Sequence, residues 1–398
     1  MGDPLGSADN PLSYAPREVP EKRYLMTPGP TPVPPEVLAA MAEPVVHHRS
    51  PDFRVVLERT LGRLREVFRT ETDVLMFTAS GTAAMESAVA NLVAPGDAVT
   101  AVSAGYFGER WQGLAKAYGA NVDAVEYEWG EVPSADDLAA RLRERPAKVV
   151  LLTHSETSTG VVADVQALAA VAKDAGSIVV VDAVSSLGAV PLESDAWGID
   201  VVCSGSQKAL MTPPGLAFAS VSDAAYAARA DAPRFYLDWE RTRKAQQKLD
   251  AAFTPAVSII AGLDVALAIL LSEGLDAAFE RHLRLGRACR AGAKAMGLEL
   301  FSPDDDSSAV VTAIRAPEGI DSGDVVLALR DKHGITIANG QGALKGQIFR
   351  IGHIGYFDVF DITTALAAVE LTLAELGADV ERGVATARAL EVYEGARV

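Results

Sequence analysis

The chain has 398 residues, enough for two or three domains or for one large α/β domain with a smaller companion. Hydrophobic residues make up 49% and charged residues 22%, a balance that allows a sizeable core and excludes disorder of the whole chain. A net charge of −17 repels phosphate backbones and anionic membranes, so nucleic acid and lipid headgroups are excluded as expected partners, and an anionic small ligand would need positive groups placed locally.

Residues 1–23, rich in Pro, Ser, Gly and charge, read as a flexible arm, and they lack the basic start and apolar core of a signal peptide. Order begins near Tyr24, at YLMTPGPTPVPP, where the prolines exclude regular helix and the glycine permits a close backbone approach. From Asp52 to about Phe68, the residues Phe53, Val56, Leu57, Leu61, Leu64 and Phe68 recur at helical spacing. Short apolar runs then alternate with amphipathic ones. DVLMFT precedes GTAAMESAVANLV, DAVTAVS precedes ERWQGLAKAYG, NVDAVEY precedes DDLAARLRER, and KVVLLTH precedes VQALAAVAKDAG, before the runs SIVVVDA and DVVCSGS. This alternation predicts an α/β fold with a mostly parallel sheet, helices on both faces, and ligands bound beyond the C-terminal ends of the strands. After Ala256 a long helical stretch runs through VALAILLSEGLDAAFERHLRLGRACRAGAKAM, and a smaller α+β unit follows with strands at AVVTAIRAP and QIFRIGHIG. No apolar run reaches the length of a membrane span. The two cysteines, Cys203 and Cys289, form neither a CxxC pair nor a disulfide framework, so a reducing compartment and a cytoplasmic location are expected.

The polar clusters fall where such a sheet opens to its ligand. The strand of SIVVVDAVSSLG delivers Asp182 at its C-terminal end; capping of a following helix is the plainer alternative for this residue. The next strand ends in SGSQK, with Lys208 placed at the same edge. An aspartate and a lysine so disposed match what pyridoxal phosphate requires: a lysine to form the Schiff base, and a carboxylate to keep the pyridine nitrogen protonated. The same lysine, once free, can carry the substrate Cα proton. Lys208 as a plain surface charge fits poorly with the small residues of CSGSQKALMTPPG around it. Ser80, Gly81 and Thr82 lie between a strand and a helix N-terminus, where free N–H groups and the helix dipole favour an anion; a simple Ser/Thr cap is the alternative, and the tripeptide alone does not decide between them.

PGPTPVP at 28–34, ASGTAAMES at 79–87, THSETSTG at 153–160, VVVDAVSSLG at 179–188, SGSQKAL at 204–210, FTPA at 253–256 and FRIGHIG at 349–355 occur in this order. Together they resemble the class V pyridoxal-phosphate-dependent aminotransferases, specifically the alanine–glyoxylate and serine–glyoxylate (serine–pyruvate) family, from about residue 24 to about 375. The resemblance implies a fold-type-I transferase with a large cofactor-binding domain over 24–275 and a small C-terminal domain over 276–398. It implies Lys208 as the Schiff-base lysine and Asp182 as the pyridinium partner. Ser80, Gly81, Thr82 and the Gln207 side chain would hold the phosphate, and Thr157 would lie near the ring hydroxyl. Phe107 takes the position where relatives stack a tryptophan on the ring. Thr254 would reach the phosphate of the neighbouring subunit's cofactor, implying a homodimer with shared active sites. Arg350 would grip the substrate α-carboxylate through its planar fork, and Gly29 would let backbone approach the substrate. Ala251 stands where relatives can carry a tyrosine that adds a phosphate contact.

The implied reaction is ping-pong transfer of an amino group from alanine or serine to glyoxylate or pyruvate. A cysteine desulfurase needs a mobile, exposed cysteine, which neither Cys203 in a strand nor Cys289 in a helix provides. Decarboxylation or retro-aldol cleavage on the same cofactor stays open, as does a non-catalytic partner subunit, although two cysteines cannot supply the thiolates of an ordinary iron–sulfur cluster. His47 and His48, adjacent in an extended segment, should point to opposite faces, so no metal is expected. Arg49 reads as either a surface residue or a reach across a dimer, and His154 as either a cofactor-edge or a structural histidine. RHLRLGR at 281–287 reads as a solvated basic helix face, and Cys203 as core.

Overall fold

A computed structural model describes residues 22–395, so of the arm expected over residues 1–23 only Lys22 and Arg23 fall inside it; the rest lies outside the described residues. Helix α1 (Pro51–Phe68) opens with a Ser50 hydroxyl that accepts from the Phe53 N–H, with Pro51 at its first position and Asp52 in its first turn. The alternating region then folds as β1 (Val74–Phe77), α2 (Gly81–Leu92), β2 (Ala98–Ser103), α3 (Tyr106–Ala117), β3 (Asn121–Glu126), α4 (Ala135–Glu144), β4 (Val149–Thr153), α5 (Val165–Asp174), β5 (Ile178–Asp182), β6 (Val201–Gly205) and β7 (Ala217–Val221).

These strands form one seven-stranded sheet in the order β1-β7-β6-β5-β4-β2-β3. Only β7 runs antiparallel, to both β1 and β6. Residues alternate between two apolar cores. Val149, Leu151 and Val180 pack with Trp111 and Leu92 on one face, while Val150, Leu152 and Val181 pack with Leu138 and Leu168 on the other. Because helices cover both faces, the strands are apolar at successive positions, which is why they read as runs rather than as an alternation.

The helical stretch after Ala256 is not one element. It breaks at Gly274 into α6 (Val257–Glu273) and α7 (Leu275–Ala295), bent by 86°. Gly274 has φ +88, a conformation that side chains resist, and it lets α6 stay on the sheet while α7 turns into a second core. That core gathers Leu285 and Cys289 of α7 with Ile314, Phe349, Ile351, Leu366 and Val369. It is built on β8 (Val311–Arg315), α8 (Ser322–His333), β9 (Ala338–Asn339), β10 (Ile348–Gly352), α9 (Val359–Glu375) and α10 (Val384–Gly395), with an antiparallel sheet in the order β8-β10-β9. The start of the described chain also belongs here: Tyr24–Leu25 pairs in parallel with Ile335–Thr336, and Met26 joins the core.

The 281–287 stretch is not a solvated face. His282 is fully buried and accepts from the Gly355 N–H, Arg281 bridges Glu273 and the Gly355 carbonyl, and Arg284 lies over the Tyr393 ring. Charge at helical spacing suggested a free surface, but α9 and α10 pack across this helix. Cys203 is buried in β6, as its strand position implied, and Cys289 is buried in α7. Among the described residues no single helix is long and apolar enough to cross a membrane.

Candidate active site

β5 and β6 are parallel neighbours, with Asp182 in register with Cys203. Asp182 ends β5, and the chain turns through Ser206 and Gln207 after β6 to reach Lys208, so both side chains meet at the C-terminal edge of the sheet. The 28–31 segment crosses over them. Lys208 Nζ donates to the Pro28 carbonyl at 2.9 Å, and Thr31 Oγ1 donates to the Lys208 carbonyl at 2.9 Å. A Cβ on Gly29, whose φ is +147, would collide with Lys208 Cδ, Cε and Nζ. The close approach that this glycine permits is therefore to the lysine.

Asp182 and Lys208 line one cavity of about 220 Å³ together with Gly29, Ser80, Gly81, Thr82, Phe107, Arg110 and Gln207. Asp182 Oδ1 accepts from the Val184 N–H at 2.8 Å, and burial pushes its carboxyl up to about 6. Burial, with help from the Arg350 charge, pulls the Lys208 amine down to about 8. Ser80 stands at the N-cap of α2 without a side-chain hydrogen bond; the Ala83 N–H donates to its carbonyl, and the Gly81 and Thr82 N–H groups open the helix beside the cavity. Gln207 Oε1 is buried without a hydrogen-bond partner among the described residues, close to Gly81.

These groups fit pyridoxal phosphate. A lysine with a lowered pKa offers neutral amine to a carbonyl, a buried carboxylate offers itself to a ring nitrogen, and an open helix N-terminus offers N–H groups to a phosphate.

Other residues singled out from the sequence lie further off or differ from expectation. Arg350, on β10, is 4% exposed and donates to the Thr157 and Asn339 carbonyls and to Gln341. It has no carboxylate within salt-bridge distance among the described residues, and burial pulls it down to about 10. Thr157 is buried beside it and meets it through its backbone oxygen. Thr254 is exposed and does not reach the Lys208 cavity of its own chain; it lines a surface groove with Val45, Val46 and His48. His47 and His48 do not point apart: a turn stacks their rings at 4.6 Å between centroids. Arg49 is exposed and pairs with Asp250. His154 is buried, held down to about 4, and its Nδ1 has no hydrogen-bond partner among the described residues. Among the described residues no group of three or more His, Cys, Asp or Glu is placed to hold a metal.

Arg110 escaped the sequence reading. It lies over the Phe107 ring at 4.7 Å and donates to Thr82 Oγ1 at 3.0 Å, joining the first turns of α3 and α2. The available signal was its i+3 spacing from Phe107, which puts both on one helix face.

The family model Aminotransferase class-V matches residues 23–352. A Synechococcus protein named soluble hydrogenase, small subunit, is 43% identical over 90% of this chain and 94% of its own. Serine–glyoxylate aminotransferase from Methylorubrum extorquens is 35% identical over 93% of this chain and 96% of its own. The crystal structure of ureidoglycine–glyoxylate aminotransferase from Bacillus subtilis superposes with a TM-score of 0.90 at 34% identity, covering 95% of this chain and 100% of that one.

Proposed function

The chain belongs to the class V aminotransferases and is a pyridoxal-phosphate-dependent transaminase, and from that premise we propose that it moves the amino group of alanine or serine to glyoxylate or pyruvate in two half-reactions. The observation that carries the reading is the meeting of a buried lysine and a buried aspartate in one cavity with an open helix N-terminus. Glyoxylate recurs as acceptor in the names of the relative and the structural neighbour, which supports it here.

In this reading Lys208 would hold the cofactor covalently, Asp182 would pair with its ring nitrogen, Phe107 would cover the ring, and Thr157 would serve the ring hydroxyl. Ser80, Gly81, Thr82 and Gln207 hold the phosphate. When bound, the cofactor serves as an electron sink for the substrate Cα. With the cofactor in place, Lys208 Nζ would be the group that takes the Cα proton; burial lowers this amine to about 8, so it is substantially neutral near that pH, as a base must be. Gly29 leaves the space that this side chain occupies. Arg350 is a buried cation whose hydrogen bonds all go to uncharged oxygens, so a substrate α-carboxylate supplies its missing counter-ion.

We also place Thr254 in the phosphate site of a second subunit, making the enzyme a homodimer; its exposure and its distance from the cavity of its own chain support this. A division near residue 275 into a cofactor domain and a smaller domain matches the turn at Gly274. Two buried, unpaired cysteines suit the cytoplasm.

Initial-rate kinetics test the reaction. Varying alanine or serine at several glyoxylate concentrations should give parallel double-reciprocal lines, the mark of two half-reactions. Intersecting lines would contradict the two half-reactions, and sustained turnover of the donor without an acceptor would replace transfer by a lyase. The absence of any turnover in cofactor-loaded protein would favour the non-catalytic partner subunit, which the hydrogenase-named relative brings forward.

A further inference from the structure

Helix α3, which carries Phe107 and Arg110, begins without a cap of its own. Its N-cap position is Gly105, which has no side chain to offer. The backbone at Gly105 is extended, so glycine is not there for its conformation; a Cβ would meet Glu156 Cγ and Ser158 Oγ at 2.6 Å. These two residues supply the cap from another loop. Glu156 Oε2 accepts from the Phe107 N–H at 2.8 Å and the Gly108 N–H at 3.0 Å, and Ser158 Oγ accepts from the Tyr106 N–H at 3.1 Å. The other oxygen, Glu156 Oε1, accepts from the Ser158 N–H at 3.1 Å and the Ser158 hydroxyl at 2.6 Å. Between them stands Thr157, whose carbonyl receives the Arg350 guanidinium.

We propose that Glu156 is the positioning residue of this site, its buried carboxylate fastening the first turn of α3, and with it the Phe107 ring, to the loop that carries Thr157 and receives Arg350.

The donor set favours the ionised form of Glu156: three backbone N–H groups, of Phe107, Gly108 and Ser158, can only donate, and the carboxylate accepts from all of them and from the Ser158 hydroxyl. Burial raises this carboxyl above its ordinary value, and the hydrogen bonds from Ser158, Gly108 and Phe107 oppose that rise only in part. A negative charge at the N-terminus of α3 also suits the helix dipole. The charge acts on the neighbouring groups. The Lys208 nitrogen feels Arg350 from β10, Asp182 from β5, Arg110 from α3 and Glu156 from the 155–159 loop; of these, Asp182 and Glu156 favour its protonated form. Glu156 therefore has two separable effects, a mechanical one on the ring face and an electrostatic one on the lysine.

This role rests on the assignment of Lys208 and Phe107 to the cofactor, and the test separates the two. In Glu156→Gln the amide keeps the volume but has one acceptor oxygen and one donor nitrogen, so donors face donors at one end. The expected result on the holoenzyme is cofactor release into an apo-protein trap at least about tenfold faster than wild type. The pH midpoint of the visible lysine–cofactor band should also fall, because a negative charge near the Lys208 nitrogen is gone. Glu156→Asp, which keeps the charge on a shorter stem, should return the midpoint to the wild-type value while still releasing cofactor faster. Ser158→Ala removes the hydroxyl and leaves the charge, so release should quicken several-fold with no change of midpoint; it carries the test if Glu156→Gln does not fold. Wild-type release and midpoint in Glu156→Gln, or unchanged release in Ser158→Ala, overturn the role of Glu156. A wild-type protein with no lysine–cofactor band would overturn the underlying site assignment instead.

Discussion

Lys208 is the residue on which both the covalent and the proton-transfer roles converge. Its amine is held down to about 8, so it gains neutral character as pH rises through that value. Loading of the apoenzyme with pyridoxal phosphate should accelerate with pH and level off above about 8, followed as growth of the visible band. Lys208→Ala should abolish that band and lower turnover by about 10²–10⁴-fold or more. Gly29→Ala should have a similar spectral effect by a different route, since the added methyl takes the space of the lysine side chain while the fold, followed by far-UV circular dichroism, persists. Arg350 sits four per cent exposed without a carboxylate, so Arg350→Lys, which cannot reproduce the fork, should lower kcat/KM for the amino donor by about 100-fold. Lys208 was legible in the sequence because it follows a strand at the rim of the parallel sheet, whereas Gly29, in a proline-rich segment, and Arg350, within a strand of the antiparallel sheet, were legible only through the ordered motifs that resemble the family. Arg110 and Glu156 were not: the first resembles an ordinary helix-surface charge, and the second acts through backbone N–H groups 48 and 49 residues away, which no local pattern reveals.

At the scale of elements, adjacency in the sheet does most of the positioning. β5 and β6 stand side by side in register, and that delivers Asp182 and Lys208 to one edge. The alternating strands and helices announced this sheet, because burial on both faces writes an apolar run for each strand. β7 went unread: Ala217–Val221 contains AFASV, small residues that neither alternate nor form a strong run. The break between α6 and α7 was also hidden, since a lone glycine in an apolar stretch does not reveal which way the chain turns. Gly274 has open space around its Cβ position, so Gly274→Ala would be strained only in its backbone. A loss of about 1–3 kcal/mol is expected, read from the urea midpoint, with the cofactor spectrum unchanged.

For the whole molecule, buried neutral histidines set the response to acid. Burial holds His154 down to about 4 and His353 down to about 3, and pushes His282 well below its ordinary value. The unfolded chain takes up these protons first, so the stability they confer is complete above about 6.5 and is lost as pH falls towards those lower values, by about 1.4 kcal/mol per pH unit for each histidine. Asp182, raised to about 6, acts in the opposite direction below that pH and offsets one of them. Thermal unfolding between pH 6.5 and 4.5 should show this fall, and His353→Asn should reduce its slope by roughly one proton. The proposed dimer has its own test in mixed subunits. Lys208→Ala and Thr254→Ala chains, unfolded and refolded together, should recover roughly a quarter of wild-type activity, because one site in each mixed dimer is native. No recovery would place Thr254 in its own chain's site.

The central claim, that Lys208 holds a cofactor able to accept and return an amino group, is tested most directly by the absorbance spectrum of the purified, cofactor-loaded protein. Addition of alanine or serine without an acceptor should convert the lysine-bound band to that of pyridoxamine phosphate, and glyoxylate should restore it. A band that ignores both donors would contradict the proposed substrates. The absence of any lysine-bound band after loading would contradict the role of Lys208 itself.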